Sequence, residues 1–167
     1  MNLLALRPSR LRRLFNLWLP FLFTGIRVLA ISEDWSSARV RLRRYRFNRN
    51  FIGTHFGGSL FAMTDPFWMI LLIHRLGTDY LVWDQAGTID FVKATREDVF
   101  ADFQLDAAVV DEIRAAAADG QKHLRWFDTD VKTADGELIA RVRKQIYVRL
   151  KPAHRPSPAP GETGNEQ

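Results

Sequence analysis

Residues 57–77 read GGSLFAMTDPFWMILLIHRLG, and the apolar blocks at 60–63 and 67–73 leave no polar face on a helical wheel. A helix at a protein surface shows one apolar stripe, so a helix that is apolar all round has to be enclosed. The segment is too short for a bilayer, which needs about 20 apolar residues, and it carries Asp65. A long, buried, apolar helix surrounded by the rest of the chain is therefore expected. Asp65-Pro66 inside it is also a helix-start signal, an acidic cap followed by proline. A continuous helix would carry that proline at a cost of about 3 kcal/mol; a break would start a second piece at Pro66.

The flanking sequence supplies the wrapping. Residues 38–42 alternate apolar side chains with arginine, as a half-buried strand requires, with 28–31 as partner across a turn at 33–36. Residues 80–83 and 88–93 are rich in β-branched and aromatic side chains, and 99–105 alternate again. Residues 124–131 and 138–150 are joined through Asp135-Gly136, a strong hairpin signal, and Ala140, Val142, Ile146, Val148 and Leu150 share one face of the second. An Ala-rich helix is expected at 107–119, stopped by Gly120. One enclosed helix and five or six antiparallel strands make an α+β architecture with the helix clasped by a sheet.

The chain has 167 residues, enough for one domain with a sizeable core, and 47% hydrophobic residues place it among globular proteins. It has no cysteine, which excludes disulfides and thiolate metal sites and suits a reducing, cytoplasmic setting. His55, His74, His123 and His154 show no ligand spacing, so no metal and no cofactor is expected. A net charge of +5 favours anionic partners. However, Arg39, Arg41, Arg43, Arg44, Arg141, Arg143, Lys144 and Arg149 fall mostly on alternating positions and read as solvated strand faces. No nucleic-acid-binding signature is present, so no nucleic acid is expected. Near the start, Leu11, Leu14, Phe15 and Trp18 fall at helical spacing opposite Arg10, Arg13 and Asn16, with Pro8-Ser9 as a start and Pro20 as an end. Residues 1–26 are thus expected to form an amphipathic helix packed on the domain and not cleaved, with rest on a membrane surface as the less favoured alternative. Residues 27–151 make the domain itself. Residues 152–167, rich in Pro, Gly, Ser and Glu, form a disordered tail.

Asn50, Gly53, Thr54, Gly57 and Gly58 lie in an Asn-x-x-Gly-Thr-x-x-Gly-Gly arrangement, with Asp65 seven residues beyond. Glycines opening a helix offer free amides and a positive dipole end, and they let a carbonyl approach without a Cβ in the way. Asn50 is a further donor or a turn-former. Ala62 lies between Gly58 and Asp65 on the same helical face, so small residues form a track leading to one carboxylate.

On these residues, and through FNLWLPFLFTGIRV, NRNFIGTHFGGSLFAMTDPFWM and YLVWDQAGTIDFV, the chain resembles the hotdog-fold acyl-CoA thioesterases of the phenylacetate-pathway type. It is similar above all to an uncharacterised bacterial family of thioesterase-like hotdog proteins. The resemblance spans residues 15–150. It implies a hotdog fold, a homodimer or homotetramer, and an acyl-CoA or related acyl thioester as substrate, with coenzyme A arriving as part of that substrate. It also implies that Gly57 and Asn50 polarise the thioester carbonyl while Asp65 of the facing subunit acts as base or nucleophile. Gly58, Thr54, His55, Ala62, Lys93 and Arg96 would then line the substrate. The pattern departs in one place: histidine usually precedes the two glycines directly, whereas here Phe56 stands there and His55 one earlier, as a loop-packing residue would. A non-catalytic acyl-thioester or lipid binder on the same fold is the alternative.

Overall fold

The computed structural model describes residues 6–156. Residues 1–5 and 157–167 lie outside it, and most of the expected disordered tail falls there. Two short helices come first, α1 (Pro8–Leu17) and α2 (Leu19–Thr24). They are separated at Trp18, whose backbone is extended (φ −66°, ψ 124°). Pro20 was expected to end a helix; it instead stands in the first turn of α2, where its missing N–H is no loss. Gly25 closes α2 at φ 78°, and any Cβ there would lie 2.6 Å from the Tyr45 ring.

The strands are β1 (Ile26–Ile31), β2 (Ser37–Leu42), β3 (Tyr80–Phe91), β4 (Val99–Gln104), β5 (His123–Thr133) and β6 (Leu138–Leu150). They form one antiparallel sheet in the order β1-β2-β4-β5-β6-β3. Where two strand segments were expected at 80–93, β3 runs unbroken to Phe91, and its pairing with β6 slips between Asp84 and Ala86. A third helix-rich layer comprises α3 (Gly57–Ala62), α4 (Phe67–Leu76) and α5 (Ala107–Ala116).

The long central helix is thus two helices, because a proline at 66 cannot donate to the carbonyl of Ala62 and its ring would collide with it. That carbonyl instead accepts from the Asp65 amide at 3.2 Å, within a turn. Asp65 does not cap α4: the cap position is Pro66, in helical conformation, and no side chain bonds there. The enclosure expected of the apolar block holds. Phe67, Leu71 and Leu72 are buried on all sides, and the Trp68 indole donates to Thr129 Oγ1 at 2.9 Å while its ring stacks on Phe127. Phe15 and Phe21 reach the same core through Phe67.

A buried asparagine ties the N-terminal helices to the loop that follows β2. Asn48 donates to the Thr24 carbonyl at 2.9 Å and to the Arg43 carbonyl at 2.6 Å, and accepts from the Tyr45 amide at 3.0 Å. Asn48→Ala would orphan all three groups, at about 1–3 kcal/mol for each one left buried. Urea unfolding of the variant should show a loss of at least about 2 kcal/mol, and a loss under about 0.5 kcal/mol would show that water replaces the asparagine.

Candidate active site

Strand β6 carries Val142, Ile146 and Val148 on its inward face. Lys144 occupies an inward step of the same run and is 4% exposed. A lysine is almost never buried this deeply without a partner, and Lys144 has one: Nζ donates to Asp65 Oδ1 at 2.5 Å. The ammonium also lies 4.7 Å from the centre of the Phe61 ring, a cation–π contact. Its stem runs beside Gly87, its cross-strand partner on β3, where a Cβ would meet Phe61 at 2.8 Å and the Lys144 stem at 3.1 Å. A bare glycine is what admits the lysine here.

A second carboxylate completes the group. Asp84 lies on β3 opposite the inward-facing Ile146, and its Oδ1 is buried with no hydrogen-bond partner. Burial pushes the Asp84 carboxyl up to about 6; the Lys144 charge pulls it down and Asp65 pushes it further up. Asp65 differs: its side chain is 56% exposed, and of its two carboxylate oxygens only Oδ1 is held. The break between α3 and α4 thus presents one anchored carboxylate with its other oxygen open to solvent.

The loop before α3 makes a separate cleft of about 330 Å³, lined by Asn50, Thr54, His55, Gly57, Phe91 and Lys93 among others. Asn50 builds the loop itself. Its Oδ1 accepts from the amides of Ile52 and Thr54, and its Nδ2 donates to Thr54 Oγ1 at 2.8 Å and the His55 carbonyl at 3.2 Å. His55 is 4% exposed and bonds the Glu97 carbonyl through Nε2 at 2.6 Å. Since that carbonyl only accepts, Nε2 carries the proton, and desolvation holds the ring pKa below its ordinary value. Gly57 lies under the Phe91 ring, which a Cβ would strike at 2.8 Å. Phe56 covers Gly58 in the same way. Among the described residues, the amides of Gly57 and Gly58 have no acceptor.

Asn50, Thr54, His55, Gly57 and Lys93 therefore come together in one cleft, and Asp65 is not among its lining residues. Ala62 ends α3, half-buried against the core. Lys93 is paired with Glu137, and Arg96 donates to the Ile52 carbonyl at 3.4 Å, bracing the loop. Lys144 is thus buried, unlike the solvated basic residues with which its sequence position groups it. The signal lay in the alternation: Ala140, Val142, Ile146 and Val148 leave position 144 as the one charged step on an inward face. Asp84 carried no comparable signal.

Other proteins share this architecture. A protein of unknown function from Pseudomonas aeruginosa, described as a probable thioesterase, is 20% identical with a TM-score of 0.76, covering 86% of this chain and 97% of its own. A thioesterase from Haemophilus influenzae is 14% identical with a TM-score of 0.63, covering 87% and 92%. The PaaI protein of the E. coli phenylacetic acid degradation operon is 16% identical with a TM-score of 0.59, covering 86% and 92%. At these identities the likeness establishes the fold, an α+β hotdog. No curated protein matches the sequence. Residues 8–148 match a family described as a domain of unknown function, DUF4442, and the chain belongs to that family.

Proposed function

We propose that the protein is a thioesterase that hydrolyses an acyl-CoA or a related acyl thioester, with Asp65 as general base. The observation that carries this reading is the anchored, half-open carboxylate: Lys144 holds Asp65 Oδ1 while the side chain remains 56% exposed. Thioester hydrolysis needs a base for water and donors for the developing oxyanion. Asp65 takes a proton from water, whose oxygen attacks the thioester carbonyl carbon. The free amides of Gly57 and Gly58 stabilise the oxyanion. Collapse breaks the C–S bond, and the thiolate leaves to take up a proton. Lys144 is a positioning residue in this scheme, since it fixes the direction of the carboxylate without touching substrate. The thioesterase descriptions of the P. aeruginosa and H. influenzae proteins support the reading. Asn50 supports the loop in this proposal rather than donating to substrate, because its amide is already engaged twice.

Within one protomer Asp65 stands apart from the cleft at Gly57, so the proposal requires a second copy to join them. Strand β3, twelve residues long, lies at one end of the sheet with one edge unpaired, and an open edge of that length invites a partner strand. A homodimer is the smallest assembly that completes the site. Light scattering at micromolar concentration should find a dimer or larger, and a fully active monomer would sink the shared site.

Asp65→Asn keeps size and removes the base, so hydrolysis should fall at least ~10²-fold, read by thiol release from a panel of acyl-CoA esters. Undiminished hydrolysis by the Asp65→Asn protein would exclude Asp65 as the base, and no hydrolysis by the unaltered protein would leave the acyl-thioester-binding alternative standing. Lys144→Met keeps an unbranched apolar stem and frees Asp65, whose carboxylate is 56% exposed and so is not left as a stranded buried charge. Its kcat should drop about ten- to hundredfold through misplacement, with KM little changed.

The Asp84 carboxyl titrates near 6 in the folded protein, above its unfolded value of 3.8. A raised carboxyl contributes stability that is complete below the unfolded pKa and is lost as pH rises through the folded one. Asp84→Asn should therefore remove a decline in melting temperature between about pH 4 and about pH 6.5, and raise stability at neutral pH. An unchanged pH profile would mean that Asp84 is hydrated rather than buried.

A further inference from the structure

Five of the 24 basic residues, and none of the 19 acidic ones, precede Glu33. The rest of the chain holds equal numbers of each sign, so the whole net charge of +5 belongs to the N-terminal segment. The fold then concentrates that charge. Between the α1–α2 pair and strand β1 runs a groove of about 860 Å³, lined by Arg12, Arg13, Arg27, Arg41 and Arg43 and by no carboxylate. Elsewhere some arginines find acids, as Arg39 with Asp102, Arg75 with Asp34 and Arg125 with Glu112, and others stand singly; only in this groove, among the described residues, do several unpaired ones share one lining. Among the described residues, Arg12, Arg13, Arg27 and Arg43 have no carboxylate at ion-pair distance; Arg41 alone in the groove has one, Asp98 at 3.8 Å.

The same groove is bounded by Leu17 and Leu22, which belong to an apolar elbow. Leu17 is 70% exposed and Phe23 68%, and Trp18, Leu19 and Leu22 are each about half exposed or more. The elbow is not loose. Phe15 and Phe21 pin it to the core beneath, Asn16 bonds the Val28 backbone twice, and Arg12 bonds the Leu29 carbonyl. Leucine, tryptophan and phenylalanine held outward beside unpaired arginines match the boundary of a bilayer, where acyl chains lie under anionic headgroups. Among the described residues, no helix is long and apolar enough to cross a membrane.

We propose that the α1–α2 elbow and its arginine groove dock the protein on an anionic lipid bilayer, the elbow entering the headgroup boundary and the guanidinium groups meeting lipid phosphates. The N-terminal segment packs on the domain with one face and offers lipid the other.

The test is cosedimentation of the full chain with vesicles of phosphatidylcholine mixed with phosphatidylglycerol, against phosphatidylcholine alone, with tryptophan fluorescence recorded alongside. Binding should be confined to the anionic vesicles, should weaken as salt shortens the screening length, and should shift the emission of Trp18 to the blue, a shift lost in Trp18→Phe. Arg13→Gln with Arg43→Gln should weaken partitioning about 25-fold, from roughly fivefold per surface arginine. Leu17→Ser with Phe23→Ser should remove binding while melting is unchanged, since both side chains are already largely in water. Equal binding to both vesicle types, or none to either, would overturn the proposal. So would serine variants that bind vesicles normally yet lose self-association, because that face would then join copies of the chain.

Discussion

Helix α4 buries six of its ten residues, and the rest of the molecule is arranged by that constraint. Phe67, Leu71 and Leu72 are fully enclosed, while Met69, Ile73, His74 and Arg75 are half-buried. A twisted antiparallel sheet that curls round the helix provides that cover with one layer of strands. The N-terminal helices close what the sheet leaves open, which is why Phe21 belongs to the same core as Phe67. Pro66 then limits how far the enclosed helix can extend. The chain must turn between α3 and α4, and the turn carries the one carboxylate of the segment to the place where helix and sheet meet.

Lys144 gives that carboxylate its meaning. An isolated buried ammonium would be strongly disfavoured, and two unit charges 4 Å apart gain about 4 kcal/mol at an effective dielectric near 20. The Lys144 ammonium therefore sits beside Asp65 and Asp84 in a setting that is otherwise apolar. The two acids are not equivalent. Asp65 sits half in water with one oxygen fixed, whereas Asp84 lies deeper with an unpartnered oxygen, and burial is the largest cause of its raised pKa.

The sheet order sets two surfaces apart. Strand β3, beside the Asp65–Lys144 pair, stands at one end, and β1, beneath the arginine groove, at the other. The proposed chemistry at one end and the proposed attachment at the other do not compete for the same residues. The loop at 50–56 serves the first end, and its internal bonds through Asn50 hold it without help from any ligand. Gly57 and Gly58 therefore open α3 on a backbone already in position.

The sequence by itself determined the enclosure of the apolar segment, the antiparallel strands around it and the Asn-Gly-Thr-Gly-Gly loop, because periodicity and turn chemistry are local properties of the chain. It left open whether Pro66 breaks the helix, and whether Asp65 caps or reaches elsewhere. Both depend on what stands opposite, and 79 residues separate Asp65 from Lys144. The alternation of β6 marked position 144 as inward; that a lysine is tolerated there required Gly87 on the neighbouring strand and Asp65 on the helix. In the same way the early arginines were visible as a count. Their gathering into one groove without acids arises only when β1 and β2 bring Arg27, Arg41 and Arg43 beside α1. Local patterns decide which segments form and which faces are apolar, whereas partners distant in sequence decide which charges are neutralised and which are left to bind something else.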